Sequence, residues 1–353
     1  MIKYLGSKRL LVPALEVMAA ATGAVTAVDL FTGTTRVAQA LKRAGMVVTA
    51  NDLATYAEVL AQCYIETDSN EVDLLALSDL LADLNSTPGA PGYFAETFCV
   101  KARFFQPKNG ERVDAIRDRI ERELKNSPYY ALALTSLMEA ADRVDSTTGL
   151  QMAYLKEWAP RAHNDLELRV PNLLPGKGVA TRLDARDAVQ KLPEADLMYL
   201  DPPYNQHRYF TNYHIWETLI RWDQPEAYGV AQKRADARNE ATKSVFNKKA
   251  KIKDAFFDVL KHAKADTLMV SYSDEGWIAP ASLLNVLRQL RQSVEMFSFE
   301  HKRYVGSQIG IHNMRGQRVG SPGKSHNLEH VFVAGDKNTV RDVGIALAEL
   351  QAA

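Results

Sequence analysis

Residues 24–53 read AVTAVDLFTGTTRVAQALKRAGMVVTANDL, and this stretch decides the fold. The apolar run at 24–31 is rich in Val and Ala and closes in Thr32-Gly33-Thr34-Thr35, the pattern of a strand ending in a tight turn. Residues 36–44 have helical spacing, Gly45 stops them, and 46–50 return as a second strand. The right-handed crossover makes the two strands parallel, so the glycine turn and Asn51-Asp52 arrive at the same edge of the sheet. Ligands of open α/β sheets bind at that edge.

Working outward, strand patterns resume at 179–183, 196–200, 267–272, 294–299 and 328–333, with helices expected at 252–263 and 281–292. From 55 to 168 the periodicity is mainly helical, as in Val113, Ile116, Ile120 and Leu124, with breaks expected at 88–92 and 107–110. The expected organisation is therefore an α/β sheet domain from 1–54 and 179–353, interrupted by a helical insertion at 55–178.

Lys plus Arg and Asp plus Glu number 43 each, which argues against a protein that coats nucleic acid through bulk charge. No run approaches the roughly 18 apolar residues of a membrane span, and the start has no signal-peptide cleavage pattern, so the expectation is cytoplasmic. Cys63 and Cys99 are too few and too isolated for a disulfide framework or a zinc site, and no metal is expected. The charges are unevenly spread. Residues 51–100 contain acids and no Lys or Arg, whereas 233–253 carry eight cations, Lys243, Lys248, Lys249 and Lys251 among them, against Asp236 and Glu240. A second basic stretch at 301–326 holds Arg303, Arg315, Arg318 and Lys324 and no acid.

Asp201-Pro202-Pro203-Tyr204 follows directly on the apolar strand at 197–200, where the sheet edge binds ligands. Two prolines stiffen the backbone and offer carbonyls without donors. A carboxylate and a rigid carbonyl side by side suit the two hydrogens of an amino group on a base. At the first strand, Gly33 lets a ligand approach closely, and Asp52 occupies the position of an acid that takes ribose hydroxyls. The dinucleotide fingerprint has three glycines and only Gly33 is present, which favours an adenosine cofactor without phosphate.

Lys3-Tyr4-Leu5-Gly6-Ser7-Lys8-Arg9, Asp29-Leu30-Phe31-Thr32-Gly33, Asn51-Asp52-Leu53 and Asp201-Pro202-Pro203-Tyr204, in this order, resemble the motifs of the Dam-type (alpha-group) adenine-specific DNA methyltransferases. The resemblance covers 1–53 and about 179–333, and the insertion resembles the family in placement only. It implies a Rossmann-like methyltransferase fold that uses S-adenosylmethionine, with Tyr4, Gly6 and Lys8 beside the methionine end. It further implies Asp29, Phe31, Gly33 and Asp201 around the cofactor, Asp52 and Leu53 at the ribose, and Asp184 near the adenine. Asp187 competes for that last contact. Thr34-Thr35 departs from the family, in which a second glycine is common, and leaves Thr35 as a candidate contact to the cofactor carboxylate.

The implied reaction is direct methyl transfer to N6 of an adenine flipped out of duplex DNA, with Asp201 and Pro202 holding the amine, Pro203 stiffening the turn and Tyr204 stacking on the base. The insertion would recognise the target, and the two basic stretches would contact DNA. N4-cytosine transfer and an inactive DNA-binding module are the alternatives. C5-cytosine transfer is excluded, because neither Cys63 nor Cys99 follows a proline. A cognate restriction endonuclease is an open partner, as is the oligomeric state.

Overall fold

The computed structural model describes residues 2–6, 8–302 and 326–352. Seven strands form one sheet: β1 (Thr26–Asp29), β2 (Val47–Asn51), β3 (Val179–Thr181), β4 (Ala195–Leu200), β7 (Ala265–Ser273), β8 (Ser293–Lys302) and β9 (His326–Gly335). Two short strands, β5 (Ala227–Tyr228) and β6 (Lys233–Arg234), make a separate hairpin. The sheet order is β3-β2-β1-β4-β7-β9-β8. Neighbours from β3 to β7 are parallel, and β9 runs antiparallel between β7 and β8. The expected strands and the glycine-turn unit are all present, within a few residues of their expected ends. This is the open, mostly parallel α/β sheet that the sequence reading expects.

Both faces of the sheet are covered, which is why its central strands read as near-continuous apolar runs. Val28, Met198, Leu200, Leu268 and Val270 point to one face and pack with Ala188, Phe256 and Leu283 from the helices Ala185–Lys191, Ile252–His262 and Pro280–Leu290. The alternate residues Ala27, Leu197, Tyr199 and Met269 point to the other, with Leu15, Val37 and Tyr56 from the helices Val12–Ala21, Arg36–Arg43 and Thr55–Ala61. Strand alternation assigns every one of these side chains.

Between β2 and β3 the chain is mainly helical, with its longest helices at Leu74–Asn85, Pro107–Leu124 and Tyr130–Arg143. Its Leu77, Phe98, Ile116 and Leu134 belong to the same apolar cluster as Ala27 and Tyr199 of the sheet. The break expected at 107–110 is instead the first turn of the Pro107–Leu124 helix. Pro107 sits where a missing N–H costs nothing, and Gly110 is required because a Cβ there would overlap Cys99 Sγ and the Ala95 backbone. Cys63 and Cys99 are buried free thiols. No described helix is long and apolar enough to cross a membrane.

Candidate active site

The turn after β1 is built from backbone. Thr35 N donates to Thr32 O at 2.7 Å, Thr32 N to Asn51 O at 2.9 Å, and Gly33 N to Asp52 Oδ2 at 2.9 Å. Gly33 has φ +49°, and a Cβ there would lie 3.3 Å from the Tyr4 ring. Thr35 also takes a left-handed conformation, at φ 62°, which is uncommon for a β-branched residue. Its side chain is fully buried, its hydroxyl donates to Thr34 O at 2.6 Å and accepts from Gln39 Nε2 at 2.9 Å, and so is consumed within the turn. Asn51 ties the strand ends together: Nδ2 donates to Leu30 O and Leu183 O, each at 3.1 Å, and Oδ1 accepts from Leu183 N at 3.1 Å.

A cavity of about 500 Å³ opens at this edge, large enough for a nucleoside-sized ligand. Of the expected cofactor contacts, Tyr4, Gly6, Phe31, Gly33, Asp52, Leu53, Asp184 and Asp201 line it. Lys8, Asp29 and Thr35 are not on its wall. Asp184 faces the cavity while capping the Ala185–Lys191 helix through Arg186 N at 3.0 Å, whereas Asp187 is exposed and 3.5 Å from Lys191.

The site concentrates buried carboxylates. Asp29 Oδ2 accepts from Ala38 N at 3.1 Å, Oδ1 is buried without a hydrogen-bond partner, and burial pushes the acid up to about 7. Burial also raises Asp52, whose oxygens accept the Ala54 and Gly33 amides at 3.0 and 2.9 Å and keep lone pairs to spare. Lys8 Nζ lies 2.9 and 2.8 Å from the two oxygens of Asp201 and 3.1 Å from Glu329 Oε1. Burial works to lower the Lys8 pKa, but Asp201 and Glu329 outweigh it and hold the ammonium well above its usual range. Burial raises Asp201 against the pull of Lys8. The cavity wall carries Asp52, Asp184, Asp201 and Glu217 against Arg182, Arg208 and Arg221, a mixed set of acceptors and donors that suits a ligand rich in hydroxyls.

Asp201 and Pro203 face the cavity. Pro202 is buried, and Tyr204 turns aside to pack against Tyr272 at 5.3 Å, with Lys8 Nζ 5.8 Å from its ring centroid. Beyond the tetrapeptide the chain enters a short helix, Tyr209–Asn212, whose Tyr209 stacks with Tyr4 at 5.1 Å; Tyr213 stacks on Tyr4 at 4.5 Å. The amino-terminal segment is thereby packed against the residues that follow the Asp201 tetrapeptide.

The basic stretch at 233–253 is only partly a charged surface. Arg234 is 1% exposed and bound to Asp223 at 2.7 Å and Asp236 at 2.8 Å. Lys243 and Lys248 share Glu240, at 2.5 and 3.1 Å, while Lys249 and Lys251 are exposed. The inner side of the stretch roofs the cavity with Thr242, Ser244, Phe246 and Asn247. Phe246 meets Phe31 edge-on at 5.2 Å, and Asn247 Nδ2 donates to Asn205 O at 2.8 Å and His207 O at 3.0 Å, fastening the loop after Tyr204. Arg303, Arg315, Arg318 and Lys324 lie outside the described residues.

Sequence reading did not single out Glu217, Phe246, Asn247 or Glu329. Glu217, 3% exposed on the helix His214–Arg221, lines the cavity and accepts from Thr55 N at 3.0 Å and Thr55 Oγ1 at 2.7 Å. An acid at an otherwise apolar position of a buried helix was the available signal for Glu217. Phe246 stood within a basic run that drew attention to its charges.

The model of the D12 class N6 adenine-specific DNA methyltransferase family matches residues 4–273. The chain is 29% identical to the modification methylase StsI of Streptococcus sanguinis over 87% of its own length and 50% of that protein's. It is 28% identical to the type II methyltransferase M.NlaIII of Neisseria lactamica over 78% of the chain and 83% of the relative. With M.FokI of Planomicrobium okeanokoites the identity is 27%, over 78% of the chain and 45% of the relative. The chain thus spans about half the length of two of these relatives and most of the third. The glycine turn, Asp29, Asp52 and the Asp201 tetrapeptide all fall inside the matched span, and the chain belongs to the D12 class N6 adenine-specific DNA methyltransferase family.

Proposed function

We propose that this chain transfers a methyl group from S-adenosylmethionine to the exocyclic N6 of adenine in a specific duplex DNA sequence. The observation that carries the reading is the Asp201 carboxylate, set at the end of β4 in the wall of a cavity whose other walls are Gly33 and Asp52. When bound, S-adenosylmethionine supplies a methyl group on a sulfonium centre, whose sulfur keeps the electron pair as the carbon departs. The residues present fit that molecule. The Gly33 turn leaves space, and Asp52 and Asp184 line the cavity and offer acceptors for hydroxyls and an adenine amine.

Asp201 and the Pro202 carbonyl would each accept one hydrogen of N6 and aim its lone pair across the cavity. The gain is mainly positional. As the N6–C bond forms, N6 sheds a proton, and Asp201, raised by burial, is the acceptor at hand. Tyr204 would need to swing from its place beside Tyr272 to stack on a flipped base. We assign target recognition to the insertion at 55–178. The relatives' names, modification methylase and type II methyltransferase, support a cognate restriction endonuclease as partner.

The test is incubation of the purified chain with S-adenosylmethionine and unmethylated DNA, followed by nucleoside analysis. N6-methyladenine is expected; N4-methylcytosine, or no product, overturns the reading. Lys249 and Lys251 are proposed to meet phosphate. Replacing both with Ala should make the salt dependence of DNA binding shallower by about 0.9 per lost contact, equally on cognate and non-cognate duplexes. An unchanged slope removes these lysines from the interface.

A further inference from the structure

Three separate parts of the chain meet at Lys8. The segment after Gly6 supplies the ammonium, the loop after β4 supplies Asp201, and the reversed strand β9 supplies Glu329, which pairs in register with Ser273 at the end of β7. The lysine, aspartate and glutamate side chains are 8%, 19% and 10% exposed. Glu329 Oε1 is buried and has no hydrogen-bond partner of good geometry; Lys8 Nζ, at 3.1 Å, is the cation beside it. Glu329 also lies beyond residue 273, where the family match ends.

A buried carboxylate with so little local support is costly, so its position calls for a role. Both oxygens of Asp201 contact the Lys8 ammonium, which lies off the cavity wall and draws on the same carboxylate that an incoming amino group would use. Asp201 is a stronger acceptor for that amine when Lys8 withdraws. An ammonium withdrawing within a buried site needs another anion, since an unpaired charge there is strongly disfavoured. Glu329 is already in contact, so the transfer is a small rotation of the lysine side chain that never leaves the charge alone.

We propose that Glu329 is a positioning residue, which provides Lys8 with a second seat and so frees the Asp201 carboxylate for the target amine. The inference rests on the methyl-transfer function proposed above. Glu329 acts through Lys8 and touches neither cofactor nor base.

The test compares Glu329→Gln, Lys8→Met and the double variant with the wild-type chain, measuring kcat and KM for unmethylated DNA, cofactor affinity by calorimetry, and the melting temperature. Glu329→Gln leaves Lys8 committed to Asp201, so kcat should fall about tenfold while KM for DNA and cofactor affinity stay within about twofold. With Lys8 already replaced by Met, the further change Glu329→Gln should lower kcat by less than about twofold, because the group it acts through is gone. Wild-type kcat in Glu329→Gln, or losses that multiply in the double variant, overturns the proposal. A wild-type chain that binds DNA and cofactor but transfers nothing would instead sink the function on which it rests.

Discussion

Two aspartates mark the two ends of β4, and they are held in opposite ways. Asp196, at its start, accepts from Val25 N at 2.8 Å, Thr26 N at 2.7 Å and Thr26 Oγ1 at 2.9 Å, and these bonds hold its pKa below the usual carboxylate range. Asp201, just past its end, takes no such backbone support, faces a lysine and is raised by burial. The first is satisfied by its own sheet and fixes β1 against β4. The second faces the cavity, and its geometry is completed by Lys8 from a distant part of the chain. One strand thus separates a carboxylate spent on structure from one that we propose serves chemistry, in line with ligand binding at the carboxyl end of open sheets.

The sharpest way to break this contrast is Asp201→Ala. Methyl transfer should fall by at least about a thousandfold, with cofactor affinity within roughly tenfold of wild type and no loss of melting temperature. Appreciable turnover would mean that the amine is held elsewhere. Asp29, the buried acid at the end of β1, extends the contrast to stability. Its folded value of about 7 lies above the ordinary 3.8, so between these values the folded state holds the extra proton and stability declines as pH rises. Asp29→Asn should therefore stabilise the ligand-free chain by about 1–3 kcal/mol at pH 8 and by little at pH 4, while weakening cofactor binding. Denaturation curves at the two pH values check this, and an equal effect at both would place the charge cost elsewhere.

Asp196 gives the smallest effect and the opposite sign. Its folded pKa is depressed, so its contribution is present above the ordinary carboxylate range and is lost as pH falls through the lowered value. Asp196→Ala should cost about 1–2 kcal/mol at pH 7, discounted for partial exposure, with kcat unchanged. A loss of activity at constant stability would erase the distinction between the two ends of the strand.

The sheet was largely legible from sequence because its strands are short apolar runs bounded by turns, and the Thr32–Thr35 turn and the Asp201 tetrapeptide are local signals. Pro107 misled because proline reads as a break from either side, and only the packing of Gly110 on Cys99 shows that a helix begins there. Glu329 and Asn247 were invisible for a different reason. Their importance lies in what they touch, Lys8 from the far end of the chain and two carbonyls of the loop after Tyr204, and no spacing in their own neighbourhood records it. The basic run illustrates the limit of counting charge, since Arg234 is locked inside an ion-pair cluster that helps to hold the segment roofing the cavity.

The short strand β3 has a consequence for how the molecule is made. It has three residues, pairs with β2, and is separated from it by all of residues 52–178. Arg182, Leu183 and Asp184, which close one side of the cavity, follow directly on it. Bringing β3 to β2 requires a long loop to be closed, a step whose entropic cost is recovered only once the helices of the insertion have collapsed. Assembly of the chain is therefore expected to follow an order. The β1-β2 unit can form early from neighbouring residues, while the wall that carries Asp184 arrives late, so on refolding the recovery of helix signal should run ahead of the recovery of ligand binding.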